Sequence, residues 1–136
     1  MLKLNGGLST QLNDMNLKKE KSIVIINYGM GNLRSVGNAI SMLGYTPLIS
    51  DRKDVIASCD AYVLPGVGAF GEAVRNLNSL GLIDVLNEQV IFNRKPFLGI
   101  CLGLQLLAKD SDEMGFHTGL GWIDGHVTRI SSHVKV

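Results

Sequence analysis

The chain has 136 residues, 46% apolar and 18% charged, which predicts a single packed domain and excludes a disordered, solvating chain. Thirteen Lys and Arg against twelve Asp and Glu leave a net charge of +1, giving no global electrostatic reason to bind nucleic acid or an anionic membrane. No apolar run approaches the roughly 18 residues of a spanning helix, no hydrophobic block near the start reads as a signal peptide, and Cys59 and Cys101 lie in different settings, so the chain reads as a soluble, cytoplasmic protein with reduced thiols.

Residues 1–21 form a weakly periodic, polar leader with a basic cluster at Lys18, Lys19 and Lys21. A solvated tail, a start at Met15 and a basic arm for a partner all remain open for it. Residues 22–136 alternate between element types. Ile23 to Ile26 is a β-branched run, predicted as a buried strand feeding the turn Asn27-Tyr28-Gly29-Met30-Gly31. Asn32 then precedes Leu33, Val36, Ile40 and Leu43 at helical spacing, and Gly44 closes that helix. Tyr45 to Ser50 reads as a second strand, Asp51 to Cys59 as a short helix, and Ala61 to Leu64 as a third strand stopped by Pro65. Phe70, Ala73, Val74, Leu77 and Leu80 make a helical face, and Leu82, Leu86 and Val90 continue a second one beyond Gly81. Phe97 to Ile100 is predicted as a fourth strand and Leu102 to Lys109 as another helix. Leu120 to Asp124 and His126 to Ser131 read as antiparallel strands or an edge hairpin. Successive strand-then-helix units require right-handed crossovers, so the expected fold is α/β with a mostly parallel, doubly wound sheet and antiparallel strands near the C-terminus. Ligands of such sheets sit beyond the C-terminal strand ends, which directs attention to residues 27–32, 65–69 and 101–103.

Glycine contributes 16 residues, about 12% against an average near 7%, and it gathers at these junctions. The sharpest motif is Gly99-Ile100-Cys101-Leu102-Gly103, a thiol form of the nucleophile elbow in which a strand delivers Cys101 and a helix starts directly after it. Such a turn holds the nucleophile in a strained backbone region, and a Cβ at either glycine would crowd neighbouring backbone. The helix N-terminus favours the thiolate, and the Leu102 amide is placed as half of an oxyanion hole. Cys59 has no comparable setting and reads as core filler. Pro65-Gly66-Val67-Gly68 would expose backbone amides to an oxyanion or a phosphate; taken alone it reads equally as a plain turn, and beside an elbow the oxyanion reading gains. Gly29-Met30-Gly31 resembles the start of a dinucleotide fingerprint, but its third glycine is replaced by Arg34, which argues against a nicotinamide cofactor. His117, His126 and His133 stand in contexts that suit surface histidines better than a catalytic base.

The run from Gly99 to Leu107, Gly-Ile-Cys-Leu-Gly-Leu-Gln-Leu-Leu, resembles the nucleophile motif of class I glutamine amidotransferases. With Asn27-Tyr28-Gly29-Met30-Gly31-Asn32-Leu33-Arg34-Ser35-Val36 and Pro65-Gly66-Val67-Gly68-Ala69-Phe70-Gly71, the resemblance narrows to the glutaminase subunits of imidazole glycerol phosphate synthase, and it covers residues 23–136. It implies that Cys101 attacks the side-chain amide of glutamine, that Leu102 with Gly66, Val67 and Gly68 supplies oxyanion and substrate contacts, and that Gln105 helps hold the glutamine. It implies a partner-facing loop at Tyr28, Gly29, Gly31 and Asn32, a (β/α)8-barrel cyclase as partner in a heterodimer, and no metal or organic cofactor. Leu104 stands where methionine is frequent in the family. Members also carry a later His-Pro-Glu that completes a Cys-His-Glu triad, and no such sequence occurs here. A C-terminally truncated domain is therefore expected, holding the nucleophile without its base. Two other readings stand beside this one: a paralogue feeding ammonia to an aminosugar synthase for surface polysaccharide, and a catalytically incomplete docking module.

Overall fold

A computed structural model describes residues 20–130; the expected leader lies almost wholly outside these residues, as does His133. β1 (Ile23–Ile26), α1 (Leu33–Met42), β2 (Leu48–Ser50), α2 (Lys53–Ser58), β3 (Ala61–Gly66), α3 (Phe70–Ser79), α4 (Leu82–Leu86, prolonged by a wider π turn over Asn87–Phe92) and β4 (Phe97–Cys101) follow in that order. The four strands form one sheet in the order β2-β1-β3-β4, with every pair parallel. This is the expected α/β architecture, because strands that pair in parallel cannot be joined by a tight hairpin and return through a crossover, here a helix.

Strand alternation assigns the two faces of this sheet different roles. Val24, Ile26, Tyr62 and Leu64 point into one core with Ile56, Phe70, Ala73, Leu77, Leu82 and Leu86 from the helices. Ile25 points to the opposite face, where α1 lies over it: a Cβ added at Gly37 would sit 3.7 Å from Ile25 Cδ1, an ordinary packing contact. α1 starts as the sequence predicts, with the Asn32 side chain accepting the Ser35 amide at 3.2 Å. Gly44 follows its end at φ +86°.

Several boundaries differ from the sequence expectation. β2 is confined to three residues, and the helix after it begins at Lys53 rather than Asp51. β3 runs through Pro65 to Gly66, where Gly66 pairs with Cys101. Pro65 is tolerated because its register partner lies on β4 alone; its carbonyl turns the other way, beyond the end of β1, and accepts the Tyr28 hydroxyl at 2.8 Å. The helix after Cys101, α5 (Leu102–Gln105), is one turn long, and the chain re-extends as β5 (Ala108–Ser111). Beyond it the carbonyls of Leu106, Leu107, Ala108 and Lys109 accept amides from Leu120, Ile123, Gly121 and Gly119, so this stretch is paired with residues 119–123 where the sequence predicted helix. β6 (His117–Thr118) pairs antiparallel with β5, as an edge hairpin would. β7 (Ile123–Val127) instead runs parallel to β5, and the register shift between Ala108 and Asp110 sets Lys109 of β5 against both Asp124 and Gly125 of β7. Gly125, expected to separate two strands, lies inside β7. Trp122 ties this second sheet to the core, donating to Asn87 Oδ1 at 2.7 Å and meeting the Phe97 ring edge-on at 4.8 Å.

Candidate functional site

Parallel strands end on the same side, so the segments after β1, β3 and β4 are neighbours. A side chain on Gly31 would lie 3.2 Å from the Gly66 amide nitrogen and 3.3 Å from Gly66 Cα. Gly31 itself is at φ +103°, a conformation that only glycine adopts readily. A Cβ at Gly66 would strike the Tyr28 hydroxyl and approach Leu102 Cβ to 2.9 Å and the Gly103 nitrogen to 3.1 Å. One at Gly68 would lie 2.5 Å from the methyl of Met30. The structure therefore brings all three predicted segments into mutual contact.

Cys101 is the last residue of β4 and is exposed, with φ +55° and ψ −117°. A non-glycine residue in this region is strained, and the surroundings hold it there. Gly99 and Gly103 close around it as the motif predicts: a Cβ at Gly99 would lie 2.6 Å from the Gly103 carbonyl oxygen, and one at Gly103 would collide with the Leu64 carbonyl. The elbow is therefore locked onto β3. Leu102 is buried and opens α5, so its amide belongs to a first turn whose N–H groups lack intrahelical acceptors. With only four residues, α5 offers little summed dipole, and its contribution beside Cys101 is that of a few free amides rather than of the extended helix the sequence predicted. Cys59 is buried in the core, and burial pushes its thiol above the ordinary range, consistent with filler.

Of the segment Pro65-Gly66-Val67-Gly68, Gly66 is buried, whereas Val67 and Gly68 are exposed and Gly68 has φ +121°. The loop is fastened at both ends. Tyr28 holds the Pro65 carbonyl on one side, and at the other the Glu113 carboxylate accepts the Phe70 amide at 2.8 Å, where α3 begins. Glu113 was not foreseen, since it lies 43 residues from Phe70 and no local pattern marks it. Tyr28 corrects the sequence expectation: at 1% exposure its side chain turns inward and cannot face a partner, while Gly29 and Asn32 of the same segment are exposed. Burial, then the nearby Cys101, pushes its hydroxyl up to about 12, so it stays a neutral donor.

Gln105 lies one helical turn beyond Cys101, exposed, on the wall of a cleft of about 490 Å³ shared with Asp112, Glu113, Val127 and Arg129. Neither described histidine hydrogen-bonds to Cys101. His117 packs its ring against Gly71 of α3. His126 is engaged by Asp110 on β5, with Asp112 3.6 Å from its other ring nitrogen. Among the described residues no cluster of His, Cys, Asp and Glu is arranged to hold a metal ion, and no helix is long and apolar enough to cross a membrane.

The sequence profile of the class-I glutamine amidotransferases matches residues 24–118. Among curated proteins, the chain is 54% identical over 106 residues to imidazole glycerol phosphate synthase subunit HisH 2 of Vibrio vulnificus (strain YJ016), covering 77% of this chain and 50% of that protein. It is 49% identical over 114 residues to the HisH subunit of Aquifex aeolicus (strain VF5), covering 83% and 55% respectively. The chain thus spans about half the length of these relatives. A crystal structure of a glutamine amidotransferase superposes with a TM-score of 0.66 at 21% identity, over 78% of this chain and 56% of that one, which shows the shared fold.

Proposed function

The chain belongs to the class-I glutamine amidotransferase family, and from that premise we propose that it carries the nucleophile-bearing part of the glutaminase subunit of imidazole glycerol phosphate synthase. The observation that carries this reading is Cys101 held at positive φ between Gly99 and Gly103, with the Gly66 strand end packed against Leu102. The similarity to the two HisH subunits supports the choice within the family.

In this reading Cys101 Sγ attacks the side-chain amide carbon of glutamine. The tetrahedral oxyanion is met by the Leu102 amide and by amides of the Gly66, Val67 and Gly68 segment, and Gln105 contacts the substrate. Collapse breaks the C–N bond, ammonia leaves with an added proton, and water then cleaves the thioester to glutamate and the free thiol. Protonating the leaving group and activating the water require a positioned base worth about 10²–10⁴-fold in rate, and His117 and His126 are committed elsewhere. The base therefore comes from outside the described residues. Ammonia passes to a (β/α)8-barrel cyclase in a heterodimer docked over the exposed loop at Gly29 and Asn32, in the cytoplasm, with no metal or organic cofactor. Glutamine hydrolysis measured for the chain alone and with a cyclase subunit tests the reading. Negligible turnover alone and ammonia-dependent cyclase product on reconstitution with a domain supplying the base are expected. Steady turnover by the isolated chain would refute the assignment of the base.

A further inference from the structure

Helix α3 begins without a cap of its own. Ala69, at its N-cap position, has no side-chain acceptor, and the first amides of a helix have no intrahelical partner. Glu113 fills the gap from 43 residues away, accepting the Phe70 amide at 2.8 Å. Its charge also suits the positive end of a ten-residue helix. The Gly66-Val67-Gly68 segment ends at the residue before Ala69, so this cap is its downstream anchor. Glu113 in turn is placed by the end of β5. Ser111 Oγ accepts the Glu113 amide at 3.1 Å. Asp112 is tied to β7 three times: its amide donates to the Val127 carbonyl at 3.2 Å, its carboxylate accepts the Thr128 hydroxyl at 3.1 Å, and His126 Nε2 lies 3.6 Å from the same oxygen. The other ring nitrogen of His126, Nδ1, is engaged by Asp110. One imidazole thus stands between two carboxylates at the strand end that carries the cap.

We propose that His126 is a positioning residue for the Gly66-Val67-Gly68 segment: in its protonated form it bridges Asp110 and Asp112 and so fixes the strand end from which Glu113 caps α3. The imidazolium is required because a neutral ring carries one N–H and can donate toward one carboxylate only, whereas the protonated ring presents an N–H to each. The hydrogen bond to Asp110 and, after it, Asp112 raise the group above its ordinary value against desolvation. The remaining charged side chains of β5 and β7, Lys109 and Asp124, face each other at 3.7 Å. His117, on the other neighbour of β5, packs against Gly71. As pH rises through the raised value, the bridge opens and the cap loosens. The side chains of His126, Asp110 and Asp112 are 46%, 24% and 56% exposed, so the effect is that of a solvent-screened pair, modest and graded. The clamp stands on this geometry, and its consequence for glutamine rests on the glutaminase reading above.

Nuclear magnetic resonance of the 136-residue chain between about pH 5.5 and about pH 8.5 tests this. The observable is the protection factor of the Phe70 amide, with the intrinsic pH dependence of exchange divided out. In the parent it should fall about two- to fivefold, the size an exposed ion pair supports, with the midpoint of the His126 ring titration. His126→Asn, which carries no charge, should stay at the lower value throughout, and His126→Arg, charged throughout, near the upper one. A flat parent profile would overturn the proposal, as would a midpoint that follows the His117 ring or an inflection that persists in His126→Asn. Equal loss of protection in the Asn and Arg variants would do the same, by making His126 a packing residue. The parent profile decides alone if neither variant folds. The ratio of Cys101 labelling rates by a glutamine-like electrophile without and with glutamine, in which the thiolate fraction cancels, should fall over the same interval. A ratio above one that does not change with pH would overturn the positioning role. A Phe70 profile that follows His126 while glutamine slows labelling at no pH would refute the glutaminase reading and leave the clamp standing.

Discussion

Replacing Gly103 by alanine tests whether the elbow is locked against β3. Alanine in a helical turn is ordinarily more favourable than glycine by about 1 kcal/mol, so without a steric conflict the variant would be the more stable form. The structure reverses that sign. The new Cβ would collide with the Leu64 carbonyl oxygen and lie 2.8 Å from its carbon, where ordinary contacts begin at 3.4 Å. Leu64 cannot retreat, because it is fully buried in a strand bounded by β1 and β4. Forcing extra atoms into close-packed surroundings costs about 1–3 kcal/mol, and rigid backbone on both sides places this site at the upper end, for a net loss of about 2 kcal/mol after the propensity gain. Urea unfolding followed by circular dichroism reads the effect. With a slope of about 1–3 kcal/mol per molar, the midpoint falls by roughly 1 M. Gly44→Ala is the control: nothing lies within 4 Å of its Cβ, and only φ +86° opposes it, for about 1 kcal/mol. A Gly103→Ala midpoint at or above that of the parent would refute the packing argument.

Tyr28→Phe leaves the Pro65 carbonyl buried without its donor and should destabilise the chain by about 1–3 kcal/mol, with the fastest loss of exchange protection at Gly66; an unchanged thermal midpoint would contradict this. Gly68→Val in the reconstituted enzyme must leave φ +121°, withdrawing an oxyanion donor, and should lower glutamine turnover about 10²–10³-fold; unaltered turnover would make the loop a plain turn. His126 is raised above its ordinary value chiefly by its hydrogen bond to Asp110, with Asp112 adding to it against desolvation. The raised folded-state value means that its stabilisation of the β5–β7 pairing is complete below the unfolded value of about 6.5 and is lost as pH rises through the folded one. The protection factors of β7 amides, with the intrinsic pH dependence of exchange divided out, should fall across that window in the parent and not in His126→Asn.

The sheet and the site segments were legible because their signals are local. Four short apolar runs alternate with helical periodicity, and glycines mark where one backbone crosses another: the motif predicts that Gly99 and Gly103 exclude a Cβ, and in the structure they do. The Cys101 strain was readable from the same spacing. The misread features depend on partners distant in sequence. α5 gives way after one turn to a strand that pairs with β6 and β7, 117–127 in the sequence. Pro65 stays in β3 because its missing donor faces past the end of β1. Tyr28 turns inward because the Pro65 carbonyl, 37 residues away, awaits a donor there, and no periodicity near Tyr28 encodes that. The parallel pairing of β7 with β5 has no sequence signature either, since its alternation suits both directions.

The central claim is that Cys101 is a nucleophile poised toward a glutamine side chain. Brief treatment of the 136-residue chain with a glutamine-like electrophile, with and without excess glutamine, followed by mass-spectrometric peptide mapping, tests it most directly. The account predicts modification at Cys101 ahead of the buried Cys59, slowed by glutamine. Preferential modification of Cys59, or labelling of Cys101 at a rate that glutamine does not alter, would contradict it.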